Sequence, residues 1–308
     1  MKRSSTRLSG LLPLVVAFSF QLFAQTAAPG RHVIEVPFDF IHGAIVVQAK
    51  VNGRGPYSML LDTGADPSIV ELSTAKSIGL KIAEKGEQGS GGGTGANLAY
   101  PTSLQVVQLG ALRATNVDAV AMDLSKINSA MGRALGGVLG YSLLQGRIVQ
   151  VDYPHHQVRF LDAPPQCARP AGPQPPACTV LPFRYQDDIL ATGVTVNGRR
   201  VIATIDTGSN GTFQVNPSAI DKLGLQQDVA RASSVDSVGF NGDVHSRKGS
   251  VANVTVGAIS VKDPGVVFYG KGMGMDKEPW DLRIGSAFLK DYVVTLDFLH
   301  HRITLALP

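Results

Sequence analysis

Two cysteines in 308 residues are too few for a disulfide scaffold or for a cysteine-rich zinc or iron–sulfur site. Aromatic residues, at 6%, are too sparse for a surface that stacks nucleobases. Charged residues make up only 17%, and basic ones exceed acidic ones by four, 28 against 24. No apolar run reaches the roughly 20 residues needed to cross a bilayer as a helix. The patterns GxSxG, HExxH and GxxxxGK(S/T) are all missing, so the sequence offers no motif for a nucleophilic serine, a zinc peptidase or a nucleotide phosphate. Gly91 to Ala96 imitates a dinucleotide loop only loosely, because no apolar strand precedes it. What remains is 44% hydrophobic with 34 glycines and 18 prolines, enough apolar matter for sizeable cores. The length predicts two domains.

Residues 1–24 read as a secretory signal peptide. Lys2, Arg3 and Arg7 form a basic start, Leu11 to Phe20 an apolar run, and Ala24 a small residue at the cleavage point, with Ala27 as the alternative. Ten apolar residues are too short for an anchor, and no cysteine near the junction offers a lipid attachment. Loss of this leader leaves 25 basic against 24 acidic residues, which removes the electrostatic case for a nucleic-acid partner. Export to the periplasm or beyond also favours a disulfide between Cys167 and Cys178, across a proline-rich loop that neither helix nor central strand accommodates.

The chain repeats itself. VNGRGPYSMLLDTGADPSIV (51–70) is answered by VNGRRVIATIDTGSNGTFQV (196–215). AKSIGL (75–80) is answered by IDKLGL (220–225), VLGYSLL (138–144) by RIGSAFL (283–289), and VDYPHHQVRF (151–160) by LDFLHHRITL (296–305). Matches in one order at nearly one offset predict a duplicated unit. The expected lobes are 31–161 and 179–308, with a proline-rich connector at 162–178. Within each, short β-branched runs alternate with turn residues, and Asn52-Gly53 and Asn197-Gly198 suit type I′ hairpins. One short helix per lobe should end near Gly79 or Gly224. The predicted fold is all-β: two small barrels related by a pseudo-twofold axis, with a cleft between them.

Each lobe carries Asp-Thr-Gly after an apolar strand: Asp62-Thr63-Gly64-Ala65 and Asp206-Thr207-Gly208-Ser209. A carboxylate at the end of a buried strand is costly unless something uses it. The axis would bring Asp62 and Asp206 together. Two adjacent carboxyls share a proton, so one can activate water while the other protonates a carbonyl oxygen. Neither metal nor cofactor is required.

These motifs resemble the aspartic proteases of the pepsin and retropepsin clan, LLDTGAD the retroviral form and TIDTGSN the pepsin form. Val138-Leu139-Gly140 and Arg283-Ile284-Gly285 resemble the later element that packs beside each active-site loop, with Arg283 a departure at its first position. The resemblance implies catalytic Asp62 and Asp206, and Thr63 and Thr207 joining the two loops across the cleft. It also implies a flap, for which Gly91, Gly92 and Gly93 within 89–100 are candidates, with 235–246 as counterpart. Asp66 and Asn210 are candidate substrate contacts. Ser209, where lobe one has Ala65, should hydrogen-bond Asp206 and favour its charged form, leaving the proton on Asp62.

The expected activity is that of a monomeric aspartic endopeptidase on an extended peptide or protein substrate. The alternative is a non-catalytic periplasmic module that binds peptides or envelope ligands on the same scaffold. A third is a processing enzyme with one dedicated substrate. His155-His156 and His300-His301 occupy equivalent places at the turn of the last hairpin, which argues for a structural role over a metal site. Trp280 is expected to pack.

Overall fold

The structure is a computed structural model, described for residues 33–167 and 177–308. The expected leader and residues 168–176 of the connector lie outside the described residues.

Both hairpin turns form as their sequences require. Asn52 and Gly53 adopt φ of 50° and 76°, and Asn197 and Gly198 repeat this with 49° and 77°. Positive φ at both central positions defines the type I′ turn, whose twist matches the flanking strands. The first turn joins Ala44–Val51 to Arg54–Leu61; the second joins Ile189–Val196 to Arg199–Asp206.

In lobe one, Arg54–Leu61 runs parallel to Gly137–Leu139, which pairs antiparallel with Ser68–Glu71. Ser68–Glu71 in turn runs parallel to Leu112–Met122, and that strand pairs antiparallel with Leu98–Leu109. The far end of Leu98–Leu109 returns to Ala44–Val51, pairing Lys50 with Gln108, so the sheet closes on itself. Lobe two repeats the central arrangement. Arg199–Asp206 runs parallel to Leu282–Gly285, which pairs antiparallel with Phe213–Val215, itself parallel to Gly265–Tyr269. The sequence reading of two repeated all-β lobes therefore holds.

The lobes share a six-stranded antiparallel base in the order Val33–Pro37, Gln157–Leu161, Ile148–Asp152, Val293–Asp297, Arg302–Ala306, Cys178–Tyr185. Its two middle strands are the repeated segments themselves, paired with Gln150 opposite Thr295. The pseudo-twofold axis passes between them. Gln150 donates to Thr295 Oγ1 at 3.1 Å across this seam. Leu61, Leu139, Val149, Val294, Ile205 and Ile284 belong to one buried cluster running through both lobes. Leu296, fully buried on the seam, is expected to cost about 2–5 kcal/mol when cut to alanine. A denaturant midpoint that does not move would contradict a common core.

Among the described residues each lobe has three short helices rather than one, the unpredicted ones being Ser125–Met131 and Tyr141–Leu144 in lobe one and Gln226–Arg231 and Ser286–Leu289 in lobe two. The predicted ones are Leu72–Ser77, followed by Gly79 at φ 71°, and Ala219–Leu223, capped by Gly224 in the left-handed region at φ 68°. The additional four-residue turns Tyr141–Leu144 and Ser286–Leu289 are too short to carry a periodic apolar signature. Cys167 and Cys178 form the expected disulfide, with Cα atoms 5.8 Å apart. The paired histidines sit in the last hairpin of each lobe. His155 Nδ1 lies 2.8 Å from Asp152 and His300 Nδ1 2.8 Å from Asp297, so each histidine tightens the turn that it belongs to.

Candidate active site

Asp62 and Asp206 stand at equivalent ends of their strands, where the parallel partner aligns Leu61 with Leu139 and Asp206 with Gly285. Both are buried, at 5% exposure. The flanking threonines interlock the loops. Thr63 N donates to Thr207 Oγ1 and Thr207 N to Thr63 Oγ1, each at 3.1 Å. The hydroxyls donate onward into the opposite lobe, Thr63 to Ile205 O at 2.7 Å and Thr207 to Leu61 O at 2.8 Å. Four reciprocal bonds in a dry setting fix the two loops face to face. Threonine supplies what this needs, a short hydroxyl beside its own backbone N–H.

The glycines that follow let the backbone come close. Gly64 N donates to Asp62 Oδ1 at 2.8 Å and Gly208 N to Asp206 Oδ1 at 2.9 Å. Each glycine also lies against the other lobe's carboxyl. A Cβ on Gly64 would fall 2.8 Å from Asp206 Oδ2, and one on Gly208 closer still to Asp62. The two carboxyls thus face each other across the paired loops, each seated against the glycine of the opposite loop. Burial, then the neighbouring Asp206 charge, raise the Asp62 carboxyl well above the usual range, against the opposing pull of the Gly64 N–H and Arg283. That is the arrangement in which two carboxyls hold one proton between them.

Ser209 does not act as the sequence reading expects. Its hydroxyl donates to Gln214 Oε1 at 2.8 Å, and only its backbone N–H reaches Asp206, at 3.0 Å. Gln214, buried on the short strand beside Arg283, offers a competing acceptor from five residues along the chain. The side chain beside Asp206 is instead Arg283, with Nε 3.1 Å from Oδ2. Sequence reading marks this residue only as a departure from the apolar pattern. That departure, a lone cation in a hydrophobic-hydrophobic-Gly segment, was the signal available.

A cavity of about 450 Å³ opens over the pair, lined by Asp62, Asp206, Gly64, Gly208, Ser209 and Asn210 among others. Gly91 and Gly92 line its roof together with Val238, Gly239 and Phe240. The roof is built from both lobes. The long hairpin belongs to lobe two, Ser233–Gly239 paired with Gly242–Ser250, while in lobe one the glycine-rich stretch closes a short hairpin of Glu87–Gln88 against Leu98 and Ala99 and meets the lobe-two tip. Asn241 N donates to Gly92 O at 2.9 Å, Gly95 N to Asn241 O at 2.7 Å, and Asn241 Nδ2 to the Gly89 and Gly91 carbonyls at 3.0 and 3.1 Å. A Cβ on Gly93 would collide with the Asn241–Gly242 backbone, 2.5–2.7 Å away, so the close approach requires glycine. Asn241→Ala should remove two of these bonds and ease local opening by about 1–3 kcal/mol. Amide exchange at Gly93 and Gly95 is expected to accelerate by about 5- to 150-fold; unchanged exchange would mean that the clasp lies elsewhere.

Asp66 lies outside that cavity. It borders a second one, of about 250 Å³, that shares Gly64 and Arg283 with the first. Its Oδ2 accepts from Tyr185 Oη at 2.7 Å, and burial raises its carboxyl. Among the described residues no group of three or more His, Cys, Asp or Glu is placed to hold a metal ion, and no helix is long and apolar enough to cross a membrane.

No curated protein sequence matches the chain. The model of the aspartyl protease family matches it twice, over residues 47–143 and 192–288. Each match contains one Asp-Thr-Gly loop and the strand that packs beside it. With two matches covering more than half of its length, each on one lobe and each holding one aspartate of the buried pair, the chain belongs to the aspartyl protease family.

Proposed function

We propose that the protein is an aspartic endopeptidase that hydrolyses peptide bonds with water activated between Asp62 and Asp206. The observation that carries this is the pair of facing carboxyls, buried beneath a cavity and held by loops locked across the pseudo-twofold axis. The ionised carboxylate takes a proton from water as the oxygen attacks the scissile carbonyl carbon. The protonated partner donates to the carbonyl oxygen, giving a neutral gem-diol without a covalent enzyme intermediate. Collapse of the diol sends a proton to the departing nitrogen and restores a single shared proton. The substrate lies extended under the two-lobed roof, adding strand-like hydrogen bonds.

The proposed setting is an exported one, acting as a monomer. The Cys167–Cys178 disulfide suits an oxidising compartment, and the basic-then-apolar start of the chain suits an export signal. The test is digestion of a peptide library by purified protein in ¹⁸O-labelled water. New C-termini carrying label are the expected result. A library left intact from acid to neutral pH would favour the non-catalytic or single-substrate alternatives.

A further inference from the structure

We propose that Arg283 is a positioning residue that fixes Asp206 as the charged member of the pair and leaves the proton on Asp62. The inference deepens the peptidase mechanism and rests on that reading for its kinetic consequences.

The duplicated chain supplies its own comparison. Arg283 aligns with Val138, and each faces the strand that ends in its lobe's aspartate. Val138 pairs with Leu60, both apolar and buried. Arg283 pairs with Thr204, whose hydroxyl donates to Asp188 at 2.6 Å. Lobe two has thus placed a polar group at each of these places, whereas lobe one has none. An arginine introduced into a core is costly unless it is compensated.

Its one ion-pair contact among the described residues is with Asp206. Nε is 3.1 Å from Asp206 Oδ2, with its N–H not aimed at the oxygen, so the contact is ionic rather than hydrogen-bonded. Nη1 reaches Tyr269 Oη only at 3.5 Å and Nη2 the Met275 sulfur at 3.8 Å. The guanidinium stacks on Trp280, 4.7 Å from its ring centroid, which gives the buried indole its purpose. The ionisable groups around the arginine and Asp206 are Asp62, Asp188, Glu278, Tyr153 and Tyr269. Of the carboxyls, Asp206 is the one in ionic contact. Asp188 is pushed up to about 7, chiefly by burial, and Glu278 is raised by burial too, so both compete weakly for the cation in acid. A fixed positive charge beside one of two carboxyls that share a proton breaks their symmetry, and the proton goes to the other.

The consequence has a definite sign. Free enzyme needs Asp206 ionised, so Arg283 carries the acid limb of kcat/KM to lower pH. Removing its charge should move that limb to higher pH. The alkaline limb, set by Asp62 and further from the arginine, should rise less. Arg283→Lys, which keeps the charge, should restore part of the shift.

The test pairs kinetics with a measurement that needs no activity. Side-chain ¹³C carboxyl shifts of Asp62 and Asp206 are followed by NMR against pH in wild type and in Arg283→Met. Expected is Asp206 charged and Asp62 protonated in wild type, with the Asp206 titration moving up in the variant. Wild-type spectra showing Asp62 charged first would overturn the proposal even if Arg283→Met failed to fold. So would an Asp206 titration that ignores the substitution. The expected titrations in a protein that cuts no peptide would leave the proton assignment standing and refute the peptidase reading instead.

Discussion

Asp206→Asn and Asp62→Asn are each expected to lower kcat/KM by about 10²–10⁴-fold or more, with the fold intact. Asparagine has nearly the shape of aspartate but can neither take the proton from water nor return one to the carbonyl. Both side chains are buried and accept backbone N–H bonds, which an amide oxygen can also accept. The stability readout should run the other way for Asp62. Its folded carboxyl is raised above the unfolded value. It therefore contributes stability that is fully present below about pH 4 and is lost as pH rises toward the folded pKa. Asp62→Asn removes that dependence, so its thermal midpoint at neutral pH should equal or exceed that of wild type. Substantial cleavage surviving either substitution would sink the dyad. Loss of cleavage together with a collapsed fold would mean that the carboxyls hold the loops rather than act.

Gly208→Ala is expected to be as damaging to turnover, by a different route. The new Cβ would occupy the space of the Asp62 carboxyl carbon, and the corresponding change at Gly64 would press on Asp206 at 2.8 Å. One must move, and the Thr63–Thr207 interlock leaves the backbone little freedom. Overpacking of this kind costs about 1–3 kcal/mol of stability. Displacing a carboxyl by even 1 Å costs on the order of 10² in rate. Gly265→Ala is the matched control, since nothing lies within 4 Å of its Cβ position. Calorimetry and kcat on the three proteins would decide it. Full activity in Gly208→Ala would show that the loops are less tightly held than the four reciprocal bonds imply.

Much of this protein was legible in one dimension because its two halves repeat. Asn-Gly turns, Asp-Thr-Gly loops and the last hairpins recur at nearly one offset, and equivalent segments must occupy equivalent places if they are to share one base sheet. The seam where Gln150 meets Thr295 is that expectation made physical. Where the repeats diverge, pattern reading had less to work with. Ser209 for Ala65 looked like the source of asymmetry, yet the hydroxyl chose Gln214. The glycine-rich stretch and its counterpart 235–246 are each visible as candidate flaps, yet nothing in either pattern says that Asn241 of one bonds the Gly89 and Gly91 carbonyls of the other.

The sequence alone determined the all-β class, the duplication, the two aspartates and the disulfide pair, because periodicity, turn chemistry and a two-cysteine count are local or countable properties. Only the tertiary structure decided which partner each polar group takes. Arg283 stands 77 residues from Asp206, and only the parallel pairing of their strands brings guanidinium and carboxylate to 3.1 Å. Asn241 is 149 residues from Gly92 and meets it only because two separate barrels share one axis. Contacts of that range depend on strand register and on competition among nearby donors and acceptors, and both are settled only when the chain is packed.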